Sequence, residues 1–321
     1  TFIRLAANRG AAARNEGVKA SDPGSQWVVM LDDDSYPDDN GFAGSLSDQP
    51  ADVGAVSADI WLPSTHGADV RESGGLPEVF IGCGVAIRRS LFLELGGYDP
   101  SFHYYVEEYD LAARMLLAGY RVAFDLNFSI AHAKDQRNRD MNLILARLIR
   151  NNGWVARRYA PKAVRAAELR SLRSRYRQIA IKEHAVAGYR RGLLELRSTI
   201  RAQPSREMST QIWDRFTGLA AAREALAAAQ SLLRFRTAAV VDHGKNAWVI
   251  AAALDELGVR IVGEHDDAEA LVIGTMSPGP MMDAFSRRAA PRRHGISRPV
   301  VMPWLMPATQ PVGALSEARA A

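Results

Sequence analysis

Three consecutive carboxylates, Asp32, Asp33 and Asp34, close the apolar run Trp27-Val28-Val29-Met30-Leu31. Like charges this close repel, and a divalent cation among them removes that cost. A compact apolar run ended by acids reads as a buried strand, and ligands of open α/β sheets gather at the carboxyl ends of strands. Mg²⁺ or Mn²⁺ held there by one or two carboxylates commonly completes its shell with phosphate oxygens. The triplet therefore reads either as a metal–diphosphate site or as a turn-forming acid cluster. The turn formers Ser35, Pro37, Asp38, Asp39, Asn40 and Gly41 follow it directly.

A second acidic group, Glu107, Glu108 and Asp110, opens a helix predicted over 107–118 and closed by Gly119. Such carboxylates suit proton abstraction from a nucleophile. Equally, acids favour the positive end of a helix, and Asp110 pairs with Arg114 at i, i+4. His132 offers either a neutral nitrogen ligand, which Mn²⁺ tolerates better than Mg²⁺, or a strand-end cap. The glycines flanking Cys83, Gly82 and Gly84, let backbone approach a ligand closely or simply make turns. Nothing in the neighbouring sequence forms a thiolate at Cys83, which reads as buried filler.

The elements that must position these groups alternate in the α/β manner over residues 1–136. Phe2 to Leu5 reads as the end of a strand and Arg9 to Ala20 as a helix. Strands are predicted over 27–31, 53–62, 79–87 and 120–125, in a central parallel sheet. From 137 to 235 helices replace strands, and between Asn151 and Arg201 thirteen Lys or Arg face three Glu. That surface, with Arg157, Arg158, Lys162, Arg165, Arg170, Arg173, Arg175 and Arg177, suits anionic lipid, a lipid-linked diphosphate or plain solvation. No aromatic stacking pattern accompanies it, which argues against nucleic acid. Ser209 begins an Ala-rich helix. Residues 236–321 return to strand and helix, a small Rossmann-like unit with a loose tail from Pro303. Its Asp242-His243-Gly244-Lys245-Asn246 turn is a weak phosphate signal, matching no Gly-rich fingerprint.

Bulk properties exclude little else. The 321 residues are 47% hydrophobic and 24% charged, ordinary for a folded chain, with a formal net charge of +4. No apolar stretch reaches membrane-spanning length, and one cysteine forbids an internal disulfide, which suits a cytoplasmic setting.

Four ordered segments together resemble the family-two inverting glycosyltransferases. The run from Trp27 to Pro37 resembles that family's strand and DxD motif. The run from Asn8 through Arg14 and Asn15 to Gly17 resembles the segment preceding it. Gly82-Cys83-Gly84 with Gly96-Gly97-Tyr98-Asp99 resembles the stretch before the catalytic helix. Glu107-Glu108-Tyr109-Asp110-Leu111 with Arg114, trailed by Gly119-Tyr120-Arg121, resembles the helix itself.

The resemblance implies a GT-A nucleotide-diphospho-sugar fold. It implies a metal (Mn²⁺ or Mg²⁺) on Asp32, Asp34 and His132, and donor contacts from Asn8, Gly10, Arg14, Asn15, Asp32, Asp33 and Arg114. Gly82, Cys83 and Gly84 fall on the acceptor side. Glu108 takes the position of the base, where the family most often has Asp, with Glu107 as the fallback and Asp110 beside them. The implied partners are a nucleotide-sugar donor and a glycan or lipid-linked acceptor, as in the synthesis of a cell-envelope polysaccharide. The basic helices then touch the inner face of the plasma membrane. In the family, further strands precede the Asn8 segment, so the chain reads as an N-terminally truncated form. The competing readings are a catalytically inactive glycan-binding scaffold on the same fold and a metal-dependent nucleotidyltransferase.

Overall fold

The structure is a computed structural model that describes residues 2–38, 41–64, 67–134, 139–290 and 298–304. The expected turn positions Asp39 and Asn40, the 136/137 boundary and the tail beyond Trp304 lie outside the described residues. The chain forms two compact units, Thr1–Gly218 with Ser277–Pro280, and Leu219–Met276 with Met281–Ala321.

The first unit is built on a mixed six-stranded sheet. Its strands are β1 (Trp27–Met30), β2 (Ser35–Pro37), β3 (Val53–Leu62), β4 (Val70–Arg71), β5 (Val85–Arg88) and β6 (Arg121–His132). The order is β1-β5-β3-β6-β2, with β4 also paired to β3. β3 is buried along nearly its whole length, as an apolar strand covered on both faces must be. Among the described residues of this sheet the β3–β6 pairing is parallel and the others are antiparallel. The parallel sheet expected from the sequence is therefore corrected to a mixed one. β1, expected to be buried, ends the strand order and is half-buried.

Two further expectations change. Residues 2–5 form no strand, and Phe2 is exposed. The strand expected over 79–87 is confined to β5, because Gly84 sits at φ +75° and breaks the extended run before it. A side chain at Gly84 would drive its Cβ to 2.9 Å from Ile60 Cγ1, so glycine is required for both φ and space. The Gly84 amide donates to Met30 O and its carbonyl accepts from Ala58 N, which ties this turn between β1 and β3.

The helices of this unit are α1 (Ala13–Ala20, entered through a 3₁₀ turn at Gly10–Ala12), α2 (Phe42–Ser47), α3 (Arg89–Glu94) and α4 (Glu107–Leu117). They continue with α5 (Met141–Tyr159), α6 (Lys162–Lys182), α7 (Val186–Thr199) and α8 (Thr210–Thr217). α4 ends as expected at Gly119, in the left-handed conformation at φ +88°. Ser209 caps α8, its hydroxyl accepting from Ile212 N at 3.3 Å; the Ala-rich stretch belongs to the following helix instead.

The second unit holds α9 (Leu219–Leu233), β7 (Thr237–Val241), α10 (Ala247–Glu256), β8 (Arg260–Ile261), β9 (Ala270–Ile273), α11 (Pro278–Ala289) from Met281 onward, and β10 (Val300–Val301). Its four strands pair in parallel in the order β10-β9-β7-β8. The turns after β7 and β9 bond to each other, Gly244 N to Gly274 O and Met276 N to Lys245 O. Asp242 in the first of these turns is held by Arg288 Nε at 2.8 Å. Pro303 and Trp304, read as tail, are buried, and the indole donates to Met276 O.

Candidate active site

The acidic triplet lies in the turn between β1 and β2. Ser35 fixes that turn, its Oγ accepting from Asp32 N at 2.7 Å and donating to Asp32 O at 2.9 Å. β2 pairs with the end of β6 so that Ser35 stands opposite His132, and Ala133 N donates to Asp34 O. One ladder thus holds the acids and the histidine together although about a hundred residues separate them in sequence. His132 Nε2 lies 3.2 Å from Asp34 Oδ1 and 4.0 Å from Asp32 Oδ2. The two carboxylates keep 37% and 40% of their side-chain surface accessible, whereas His132 keeps 8%. Asp33 is exposed at the tip of the turn.

Glu72 and Lys134 complete the histidine's surroundings. Buried Glu72 follows β4, and its Oε2 lies 3.3 Å from His132 Nδ1. Lys134 Nζ reaches both Glu72 oxygens, at 2.8 and 2.9 Å. Burial pushes the Glu72 carboxyl up, but His132 and Lys134 outweigh it and hold it below its ordinary range. The His132 imidazole is pushed up to about 10, first by Cys83 and then by Glu72, against the effect of its own burial.

Cys83, expected as buried filler on the acceptor side, is buried and stands beside this group. One ligand atom each from Asp32, Cys83 and His132 lies within 4.8 Å of the others. The placement follows from the Gly84 turn, whose amide and carbonyl bond to Met30 and Ala58.

This donor set fits a divalent cation. It offers two accessible carboxylates and a buried imidazole whose Nδ1 has no aligned hydrogen-bond partner. A carboxylate facing the second nitrogen of a ligating histidine is the arrangement that fixes its tautomer and leaves the first nitrogen for metal.

The start of α4 is reached through a strained segment. His103, Tyr105 and Val106 take φ of +64°, +70° and +74°, an arrangement costing about 1–3 kcal/mol per residue. Asn151 of α5, fully buried, offsets that cost: its Nδ2 lies within donor range of the carbonyls of Phe102, Tyr104 and Tyr105 at 3.1, 3.1 and 2.7 Å. Val106 then caps α4 without a side-chain hydrogen bond, and Glu107 and Glu108 open the helix. Glu107 is buried, and its Oε2 has no hydrogen-bond partner. Burial first, and neighbouring Glu108 second, push its carboxyl up to about 9, so it holds a proton at neutral pH. Glu108 is half-exposed.

The remaining motif residues divide between site and scaffold. Arg14 joins the site: its Nη2 pairs with Asp32 Oδ1 and lies 3.3 Å from Leu31 O. Asn8 Oδ1 accepts from Gly10 N at 2.9 Å. Gly10, at φ +61°, lets Ala11 N donate to His103 O, and a Cβ there would stand 2.1 Å from that oxygen. Asn15 brackets the backbone of Tyr98, donating to its carbonyl at 2.8 Å and accepting from its amide at 2.9 Å.

Asp110, expected among the catalytic acids, is wholly buried and saturated. Arg114 Nε, Arg158 Nη1 and Tyr159 OH donate to it at 2.9, 2.8 and 2.6 Å. Arg114, expected at the donor, spends its other nitrogens on Leu95 O and Gly97 O. Arg158 is likewise buried, not part of the basic surface, whereas Arg170, Arg173 and Arg177 of α6 are exposed. The sequence carried no signal for Glu72. A polar Asn151 inside an otherwise amphipathic helix was the one available hint of the clamp.

No family model and no curated protein matches the chain. Among solved structures it is similar to the mannosyltransferase PcManGT from Pyrobaculum calidifontis in complex with GDP-Man and Mn²⁺. That likeness has 17% identity, 80% of this chain and 69% of that chain covered, and a TM-score of 0.40. It is similar too to GalNAc-T7 with UDP, GalNAc and Mn²⁺, at 16% identity, 58% and 46% coverage and a TM-score of 0.35. The chain spans under half the length of that second protein. Both TM-scores lie below 0.5, and the functional reading that follows rests on the residues of the site. Among the described residues no helix is long and apolar enough to cross a membrane.

Proposed function

We propose that the chain is a glycosyltransferase of the family-two type, moving a sugar from a nucleoside-diphosphate donor to an acceptor hydroxyl with inversion. The observation that carries this reading is the convergence of Asp32 and Asp34 with His132 at the carboxyl ends of β1 and β6. Asp32, Asp34 and His132 would hold Mn²⁺, for which two oxygens and an imidazole are a suitable donor set, or less readily Mg²⁺. Bound there, the ion offsets the charge that gathers on the departing diphosphate. Arg14 adds fixed positive charge on the same side through its position against Asp32.

On α4, Glu108 is the group that takes the acceptor's proton as its oxygen bonds to the anomeric carbon and the bond to the diphosphate breaks. Glu107 keeps its own proton at neutral pH and so is not the base, and Glu108 beside it is half-exposed. Asn151 and the strained 103–106 segment set the height of these two carboxylates. The acceptor in this reading is a glycan or a lipid-linked sugar, and the exposed arginines of α6 suit an anionic membrane face on the cytoplasmic side. Residues 1–136 supply the chemistry, with the basic helices and the C-terminal α/β segment as accessories.

The test is nucleoside-diphosphate release from a panel of nucleotide sugars, with Mn²⁺ or with EDTA. Metal-dependent release that falls about 10²–10⁴-fold in Glu108→Gln and is lost in Asp34→Asn supports the reading. Release of pyrophosphate instead would make the chain a nucleotidyltransferase. Metal-dependent binding of a nucleotide sugar with no release, across donors and acceptors, would make it an inactive binding protein.

A further inference from the structure

Resting on that metal reading, we propose that Cys83 is a ligand of the same ion, its thiolate joining Asp32 and His132 in a mixed sulfur, oxygen and nitrogen site. Cys83 is 4% exposed and His132 7% exposed, both buried beside the accessible carboxylates of Asp32 and Asp34. Their candidate ligand atoms, with one from Asp32, already lie within 4.8 Å of one another. A short inward adjustment brings such a trio to the roughly 2.0–2.3 Å bonds of nitrogen, oxygen and sulfur ligands.

Two features fix the sulfur's place. Gly84 is locked between Met30 and Ala58 by backbone hydrogen bonds, which leaves residue 83 little freedom. The apolar cluster containing Val56, Ile60, Ala86 and Ile130 also packs Cys83 from behind. His132 presents Nε2 to Asp34 and Asp32 while Glu72 faces its Nδ1, so the ring nitrogen on the side of the acids is the one held for an ion.

The chemistry decides which cation this suits. A thiolate is a soft donor that Mg²⁺ does not use, whereas Zn²⁺ and Co²⁺ accept sulfur, imidazole and carboxylate together, with Mn²⁺ between. On binding, the metal–sulfur bond forms as the thiol proton leaves to solvent, so no oxidant or reductant is involved. Cys83, a residue outside the acidic motif, thus sets a preference for borderline metals.

The test uses Co²⁺ as a spectroscopic probe on the metal-free full chain. The expected result is a near-ultraviolet thiolate-to-cobalt band that saturates at one equivalent. Cys83→Ser should lose that band, keep the weaker visible ligand-field bands and bind Co²⁺ about tenfold or more weakly. A large excess of Mg²⁺ should leave the wild-type band intact. Co²⁺ bound to wild type without a thiolate band overturns the role of Cys83 while leaving the carboxylate and histidine ligands standing. No Co²⁺ binding at all overturns the metal reading itself and this inference with it. The wild-type spectrum alone separates these outcomes, so the test does not depend on the variant folding.

Discussion

Two clusters of charged side chains in the first unit use the same residue types to opposite ends. Around Asp110, a wholly buried carboxylate meets Arg114, Arg158 and Tyr159, and both of its oxygens are engaged. Around Asp32 and Asp34, the carboxylates remain more than a third accessible, a histidine faces them, and buried polar atoms are left without aligned partners. The first cluster joins α4 to α5 and the Leu95–Gly97 turn, and it lines a cavity together with Asp99, Pro204 and Arg206. The second is under-satisfied where a cation would enter. Proximity of acids and bases therefore separates scaffold from site less well than the count of what each oxygen and nitrogen already holds.

Perturbing the two clusters should give opposite profiles. Asp110→Ala takes the buried counter-charge from Arg114 and leaves Arg158 with Asp99 as its remaining carboxylate, and should cost about 3–5 kcal/mol in urea unfolding. A loss below about 1 kcal/mol, the range of an exposed ion pair, would mean the hub is not the closed structural node described. Glu72→Gln should leave unfolding nearly unchanged yet weaken Mn²⁺ binding about 10–100-fold, because His132 loses the carboxylate that orients it. Unaltered Mn²⁺ affinity would remove Glu72 from the site.

Asn151→Ala falls between these two. It should cost about 1–3 kcal/mol from the bonds lost to the carbonyls of Tyr104 and Tyr105, Phe102 O keeping Arg150 as a donor. It should also lower kcat more than it changes the donor KM, since the segment it holds places the carboxylates of α4. An equal stability loss with kcat intact would make it scaffold only.

Glu107 gives a pH-dependent signature. Its folded carboxyl titrates near 9 against about 4.5 in the unfolded chain. The unfolded state therefore releases a proton that the folded state retains, and stability falls as pH rises from about 4.5 to 9. Glu107→Gln should flatten that part of the stability profile, whereas an unchanged slope would show that Glu107 ionises normally. The smallest effect belongs to Asp34→Asn, which should move stability by no more than about 0.5 kcal/mol. A larger loss would place Asp34 in the scaffold class with Asp110.

Much of this arrangement was legible in the sequence, and the exceptions share a cause. β3 over 53–62, the helix opening at Glu107 and its Gly119 stop follow from local pattern, and the structure keeps them. Asp32, Asp34 and His132 were readable because an acid cluster at a strand end and a histidine past another strand are local signals. Glu72 and Cys83 were not, since each reaches His132 only through non-local pairing, β4 on β3 and the Gly84 turn between β1 and β3. The sheet's mixed direction was missed because apolar runs carry no sign of which way their neighbours point. Asn8, Gly10, Asn15 and Arg114 carry local roles that the sequence did not announce, engaging one another's backbone or that of Tyr98, His103 and the Leu95–Gly97 turn.

The metal site is tested most simply by Mn²⁺ binding, followed through the loss of the free-ion electron paramagnetic resonance signal, in wild type, Asp34→Asn, His132→Ala and Asp110→Asn. One bound equivalent in wild type, lost in Asp34→Asn and His132→Ala but kept by whatever fraction of Asp110→Asn remains folded, is the predicted result. Mn²⁺ binding that survives undiminished in His132→Ala, or that is absent from the wild-type chain, would contradict the site described.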